Sequence, residues 1–227
     1  MVGLAYMRKT IFANGEYYHI YNRGVDKRGV FMDKFDFERF LQSIEEFNSE
    51  DPIGSIYENS FIKDQTKSKK KKLVHIICYC LNPNHYHFII GQLVGRGIEK
   101  FMHKLGLGYT QYFNLKHHRS GALFQGPFKA IHIDSNEYLL HLSAYVNLNF
   151  KVHKFKLGDL VPKWRSSWDE YGNEQRGAGL CKRDVILDQF KNRAEYKKFA
   201  ESSLIDILGR KDAAKSLESL LLEQLGD

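Results

Sequence analysis

The sequence predicts an α+β fold, one antiparallel sheet carrying amphipathic helices, and three observations lead there. Residues 73–91 hold two runs of β-forming residues split by Asn82-Pro83-Asn84, which reads as a hairpin. Two further β-rich runs, 17–22 and 128–133, stand on either side of it. The stretches between outer and inner runs repeat their apolar residues at the helical period.

Taken in order, the first strand is YYHIYN at 17–22, broken by Arg23-Gly24. A helix is expected over 33–49, where Phe37, Phe40, Leu41, Ile44 and Phe47 recur three and four apart. Residues 50–66 are polar, contain Pro52 and Gly54, and read as a long excursion. It ends in the basic run KSKKKK at 67–72. Such a run is usually a solvated loop, but Lys70, Lys71 and Lys72 are also candidate grips on a phosphate backbone beside the hairpin.

The hairpin strands follow at 73–81 and 85–91, then a second helix over 98–117. Its apolar side is Ile98, Phe101, Met102, Leu105, Tyr109, Tyr112 and Phe113, and its basic side includes Lys104 and Lys116. The fourth strand is FKAIHI at 128–133, which includes Lys129. A third helix is expected over 135–149, with Asp134 as N-cap and Glu137 completing a capping box. Leu139, Leu142 and Val146 give it an apolar face, and Tyr138, His141, Tyr145 and Asn149 a polar stripe. The order β-α-β-β-α-β is the ferredoxin-like split βαβ pattern, an antiparallel sheet with helices packed on one face. Residues 1–171 are expected to form this domain and 172–227 a small helical C-terminal extension, with amphipathic helices over 184–199 and 212–225.

Bulk properties narrow the function. The 227 residues suffice for a real core, and a net charge of +7 points to a polyanionic partner. Abundant aromatics, 16 Phe and 13 Tyr, suit both core packing and base stacking. Three cysteines, Cys78, Cys80 and Cys181, are too few and too poorly spaced for a disulfide framework or a zinc site. No apolar run is long enough for a membrane span or a signal peptide, so the expectation is a cytoplasmic protein.

The hairpin carries the chemistry. Side chains alternate along a strand, so His85 and His87 share a face while Tyr86 points away. Two imidazoles so placed can share a divalent ion, given a third ligand from elsewhere. A lone His-x-His is a weak signal, and the rest of the chain has to support it. Asn149 can supply an amide oxygen while Tyr145, four residues earlier, faces a phosphate. Imidazole and amide ligands with open positions suit Mg2+ or Mn2+. A nucleophile, a Lewis acid and a basic surface together are what cleavage of a phosphodiester by a side chain requires.

These segments resemble a known family. CYCLNPNHYHFII at 78–90 resembles the His-hydrophobic-His strand of the HUH endonucleases, and more closely the single-tyrosine, REP-associated transposases. YYHIYNRGVDKRGVF at 17–31 is similar to the family's opening strand and Arg-Gly, and KLGLGYTQYFNLKHHRSGALFQGPFKA at 104–130 to its second helix and following strand. AYVNLNF at 144–150 resembles the nucleophile helix, and WRSSWDEY at 164–171 the segment after it. The resemblance implies a transposase that cuts single-stranded DNA near hairpins or inverted repeats through a 5′-phosphotyrosine, with Mg2+ or Mn2+. It makes Tyr145 the nucleophile and His85, His87 and Asn149 the metal ligands. Arg23, Lys70, Lys71, Lys72, Lys104, Lys116 and Lys129 are the basic residues expected on DNA. Such proteins act as homodimers or, among REP-associated ones, as monomers, so both stay open. The chain departs from the family at Phe150, usually Pro, and at Pro127, commonly Arg after Gln-Gly. Two other readings stand beside this one: an inactive copy serving as a DNA-binding module, and a phosphodiesterase that uses water. Tyr109 and Tyr112 are rival nucleophiles whose helical spacing suits core packing better.

Overall fold

The computed structural model describes residues 10–52, 54, 56, 71–152, 164–172 and 179–224, with side chains described as far as residue 210. Among them, strands β1 (Tyr17–Arg23), β2 (Val74–Asn82), β3 (His85–Gln92), β4 (Lys129–Ile133) and β5 (Arg165–Ser166) form one sheet. Its order is β4-β1-β3-β2-β5 and every pairing is antiparallel. With α1 (Lys34–Phe47) and α2 (Gly97–Lys116), the first four strands make the split βαβ pattern expected from the sequence. The remaining helices are α3 (Asn136–Asn147), α4 (Asn149–Val152), α5 (Trp168–Gly172), α6 (Asp184–Leu187) and α7 (Arg193–Gln224). Among the described residues no helix is long and apolar enough to cross a membrane.

The hairpin register puts Asn82 opposite His85, so Pro83 and Asn84 are the turn. That turn is stapled to the chain leaving β1. Gly24 N–H donates to the Asn84 carbonyl at 2.8 Å, and Val30 and Phe31 N–H donate to that of Pro83 at 2.7 and 3.0 Å. Gly24 has to be glycine, because a Cβ there would collide with the Arg28 carbonyl and the Val30 side chain.

Strand alternation sorts the two faces. Tyr86 and Phe88 of β3 meet Phe40 of α1, with ring centroids 5.6 and 6.3 Å apart. Tyr109 of α2 packs edge-on to the same Phe40 at 4.7 Å. Each fully buried side chain of this size contributes about 1.5–3 kcal/mol, so this face anchors the fold. His85 and His87 point the other way, toward α3, where His87 meets Tyr145. The two helices of the split pattern thus share one face as expected, and α3 covers the opposite one.

Several expectations need correction. The N-cap of α3 is Ser135, whose hydroxyl accepts from Tyr138 N–H at 3.2 Å; Asp134 lies one residue too early to reach the first turn. α3 stops at Asn147, and Leu148 (φ −105°, ψ 10°) separates it from α4, so Tyr145 and Asn149 do not lie on one unbroken helix. The C-terminal helices divide elsewhere too: α6 ends at Leu187, and α7 is continuous through residues 200–211. Asn192 caps α7, accepting from Glu195 N–H at 2.9 Å. Finally, residue 171 is no packing boundary. Cys181, Ile186, Tyr196, Ala200 and Leu204 are buried in the same core as the sheet. Tyr196 Oη accepts from the Asn147 amide at 2.8 Å, which ties α7 to the end of α3.

Candidate active site

β3 presents His85 and His87 on one face with ring centroids 5.3 Å apart and planes at 89°. β1 runs beside it in register, Tyr21 opposite His87 and His19 opposite Ile89, so His19 and Tyr21 join the same face. His19 Nε2 and His87 Nδ1 lie 2.9 Å apart, a hydrogen bond that leaves Nε2 as the His87 nitrogen turned to other partners. Burial holds the His19 imidazole down to about 4, so it is neutral and fits this role.

The hairpin end supplies a chain of amides. Asn84 Oδ1 lies 2.6 Å from His85 Nδ1, and Asn82 Nδ2 lies 3.0 Å from His85 Nε2. The same Asn82 amide donates to Asn149 Oδ1 at 2.8 Å. Asn82 and Asn149 are wholly buried, and Asn149 Nδ2 has no hydrogen-bond partner among the described residues. Asn82 therefore links His85 to Asn149, while Tyr145, half-buried on α3, turns its ring edge-on to His87 at 5.8 Å and 79°. These four residues, expected to act together, do converge over the hairpin end.

The end of α3 is held by the segment after it. Ser166 Oγ donates to the Asn147 carbonyl at 2.6 Å, and Ser167 Oγ to Asn147 Oδ1 at 2.5 Å. Ser167 also bonds both backbone groups of Tyr79 on β2, fixing α3 against the strand that carries Asn82. Phe150 stacks flat on Trp164 (5.1 Å, 4°), and the chain leaves Asn149 along this aromatic contact.

A divalent ion at this site would have to be held by the side chains already named. Among the described residues no three His, Cys, Asp or Glu side chains cluster to hold one. Two imidazoles and the Asn149 amide oxygen remain, and the orphaned Nδ2 shows that this buried amide is held from one side only. The set fits a hard ion on one condition: Asn82 must move off His85 Nε2 and Asn149 Oδ1, since its Nδ2 contacts both.

Beside the imidazoles opens a cavity of about 420 Å3, bordered by Tyr21, Arg23, Lys27, Gln125 and Lys129 as well as His85 and His87. Arg23 Nε donates to Gln125 Oε1 at 2.5 Å, and the Lys129 ammonium sits 6.0 Å from the Tyr21 ring centre. Arg23 and Lys129 thus border the same cavity as His85 and His87.

Other basic residues lie elsewhere. Lys104 donates to the carbonyls of Ser49 and Asp51 at 2.7 and 3.2 Å, closing the end of α1. Lys116 pairs with Asp33 at 2.7 Å and with buried Asp36 at 2.8 Å. Both are fold contacts on the α1/α2 side. Lys71 pairs with Glu50 at 2.9 Å, and Lys72 after it stands eight residues before Cys80, the partner of His87, about 27 Å along an extended chain. Lys71 and Lys72 are therefore at the far end of the sheet. Lys70 lies outside the described residues. Pro127 is exposed and lies off this cavity.

The rivals to Tyr145 are placed by the α1/α2 face. Tyr109 is fully buried and its hydroxyl donates to the Val30 carbonyl at 2.6 Å; burial raises its pKa far above the phenol value. Tyr112 packs under Arg39 and Lys116. His141 turns to Ser203 of α7 at 3.0 Å, away from the imidazole pair. Sequence reading missed His19, Tyr21, Lys27 and Asn82. The first two were legible as alternate residues on a strand of known face. Asn82 read only as a turn former.

No family model and no curated protein matches the chain. A solved structure of a REP-associated tyrosine transposase bound to a REP hairpin is similar, with a TM-score of 0.50 and 11% identity. The match covers 73% of this chain and 84% of that one. At that identity the likeness shows a shared fold.

Proposed function

We propose that the chain is a metal-dependent single-tyrosine nuclease and strand transferase acting on single-stranded DNA beside hairpins, of the REP-associated transposase type. The observation that carries this is the convergence of Tyr145 on His87 and of Asn149 on His85, through Asn82, beside a cationic cavity. The shared fold with a transposase that was solved on a hairpin supports it.

In this reading His85, His87 and Asn149 would hold Mg2+ or Mn2+. When bound, the ion supplies charge neutralisation at the scissile phosphate. Tyr145 Oη forms a bond to phosphorus as the bond from phosphorus to the 3′ oxygen breaks. The phenol proton passes to solvent and the departing oxygen takes one up, leaving a 5′-phosphotyrosine and a free 3′-OH. Attack by a 3′-OH on that linkage reverses the step and rejoins strands. A free phenol titrates near about 10 and is a weak nucleophile at neutral pH, so placement at a polarised phosphate is what activates it. His19 orients His87, and Arg23 and Lys129 hold the strand.

The test is covalent capture of a labelled hairpin oligonucleotide with single-stranded flanks in Mn2+. Wild-type protein should carry label through denaturation, and Tyr145→Phe should bind the oligonucleotide but carry none. Cleavage with no adduct would favour the water-using phosphodiesterase, and binding with neither would favour a DNA-binding module.

A further inference from the structure

The space between Tyr21 and Arg23 has no part in the chemistry above, yet it has the form of a base-binding slot. We propose that it seats one nucleobase of the single-stranded flank, stacked on Tyr21 beneath the Arg23 guanidinium. This rests on the reading of the chain as a single-strand DNA enzyme and adds where the strand next to the scissile phosphate is gripped.

Tyr21 and Arg23 are two residues apart on β1 and share the face of His87. Same-face neighbours on a strand stand about 6.7 Å apart. Stacked bases repeat at about 3.4 Å, so one base fits between the two side chains. His19, two residues earlier, already stacks on Tyr21 (5.0 Å, 29°), as does His87 across the strand pair (5.8 Å, 20°). Along the strand, the side of the ring away from His19 is the one toward Arg23.

Arg23 is held in place. Its Nε donates to Gln125 Oε1, and its carbonyl accepts from Gln125 N–H at 2.8 Å. The guanidinium is thereby oriented while its two terminal nitrogens are left to a base face and a phosphate. Lys129 is opposite Tyr21 in register on β4. Lys27 borders the slot from a backbone in the left-handed region (φ 59°), next to Asp26 in the same region (φ 53°). The Asn84 amide fastens this turn to the hairpin by donating to the Lys27 carbonyl at 3.0 Å.

Among the described residues the cavity lining contains three cations and no carboxylate. A mixed aromatic and cationic slot open to the imidazole pair matches single-stranded nucleic acid, in which bases are free to stack and phosphates follow at each step. Both polar ends of the Asn22 side chain are engaged, Nδ2 with the Gly126 carbonyl and Oδ1 with Arg23 N–H. Asn22 is therefore taken up within the fold, and the grip proposed on the base is stacking, which accepts any base.

The experiment uses the full chain carrying Tyr145→Phe, which should bind without cleaving, and a hairpin oligonucleotide with single-stranded flanks. 2-Aminopurine is placed at one flank position at a time and its fluorescence is read on binding. One position should be quenched. The quenching should persist with Tyr21→Phe, which keeps the ring, and vanish with Tyr21→Leu. An abasic site at that position should weaken binding by about five- to a hundredfold, and this measurement needs no change at Tyr21. Quenching at no position, or quenching that survives Tyr21→Leu, would overturn the slot. Covalent adduct on wild-type protein without quenching would reject the slot alone, and quenching without adduct would keep the slot and reject the nuclease.

Discussion

The two faces of the central sheet are built from the same strands and do opposite things. On β3, Tyr86 and Phe88 go to the α1/α2 side and are sealed among Phe40, Tyr109 and Phe124. His85 and His87, one residue out of phase, go to the α3 side among His19, Tyr21 and Tyr145. The tyrosines make the contrast sharpest. Tyr109 is buried with its hydroxyl committed to a carbonyl, whereas Tyr145 is half-buried against an imidazole. A phenol of the first kind is structural because burial disfavours its anion. A strand can therefore stabilise with one side chain and be available for chemistry with the next, and a slip of one residue would exchange the roles.

That division can be broken from either side. The largest effect is expected from His85→Ala with His87→Ala, which should remove divalent-ion binding by calorimetry and all metal-dependent cleavage while leaving the circular dichroism of the folded chain. Retained cleavage would detach the imidazole pair from the chemistry. On the other face, Phe40→Ala should cost about 3–5 kcal/mol in urea unfolding, with adduct yield per folded molecule unchanged. A loss of yield beyond the loss of folded protein would mean that the two faces are coupled.

Finer effects are expected at residues that act through others. His19→Phe keeps the bulk but not the hydrogen bond to His87, and should weaken Mn2+ binding about 10–100-fold, read by calorimetry. Unchanged affinity would make His19 a packing residue. Asp33→Ala removes the N-cap of α1, where the carboxylate accepts from Phe35 and Asp36 N–H at 2.9 and 3.1 Å. It should cost about 1 kcal/mol and leave DNA cleavage alone. Burial pushes the Asp33 carboxyl up, but Lys116 and the two backbone donors outweigh it and hold the group below its ordinary value. A depressed carboxyl stabilises the fold above its unfolded pKa, and that contribution is lost as pH falls through the folded one. Stability of Asp33→Ala should accordingly fall less steeply with acid than that of wild type. Parallel acid profiles would remove Asp33 from the account.

The strands and their faces were legible because period-two alternation encodes both at once. His85 and His87 could be placed on one face, and Tyr145 near them, from the sequence. Burial partners were less legible. Lys116 on an exposed-looking helix side reads as a DNA contact, yet it meets Asp36 from α1, a residue 80 positions earlier in the chain. Lys71 and Lys72 are basic wherever they lie, and only the length of the strand after them shows that they stand far from the imidazoles. Asn82 was hidden by its own propensity: Asn-Pro-Asn announces a turn, and nothing local reveals that the first Asn faces inward to join His85 and Asn149. The packing of the residues after 171 was hidden for a similar reason. Tyr196 and Leu204 lie on a mostly polar helix, and Tyr196 is buried by Asn147 of α3 together with Tyr171 and Phe190.

The most direct measurement is to identify the residue that takes the DNA. Wild-type protein is reacted with the hairpin oligonucleotide in Mn2+, digested with protease and nuclease, and the nucleotide-bearing peptide is sequenced by mass spectrometry. The account predicts the adduct on Tyr145, the tyrosine facing His87. An adduct on Tyr109 or Tyr112, on the opposite face of the sheet, would contradict it.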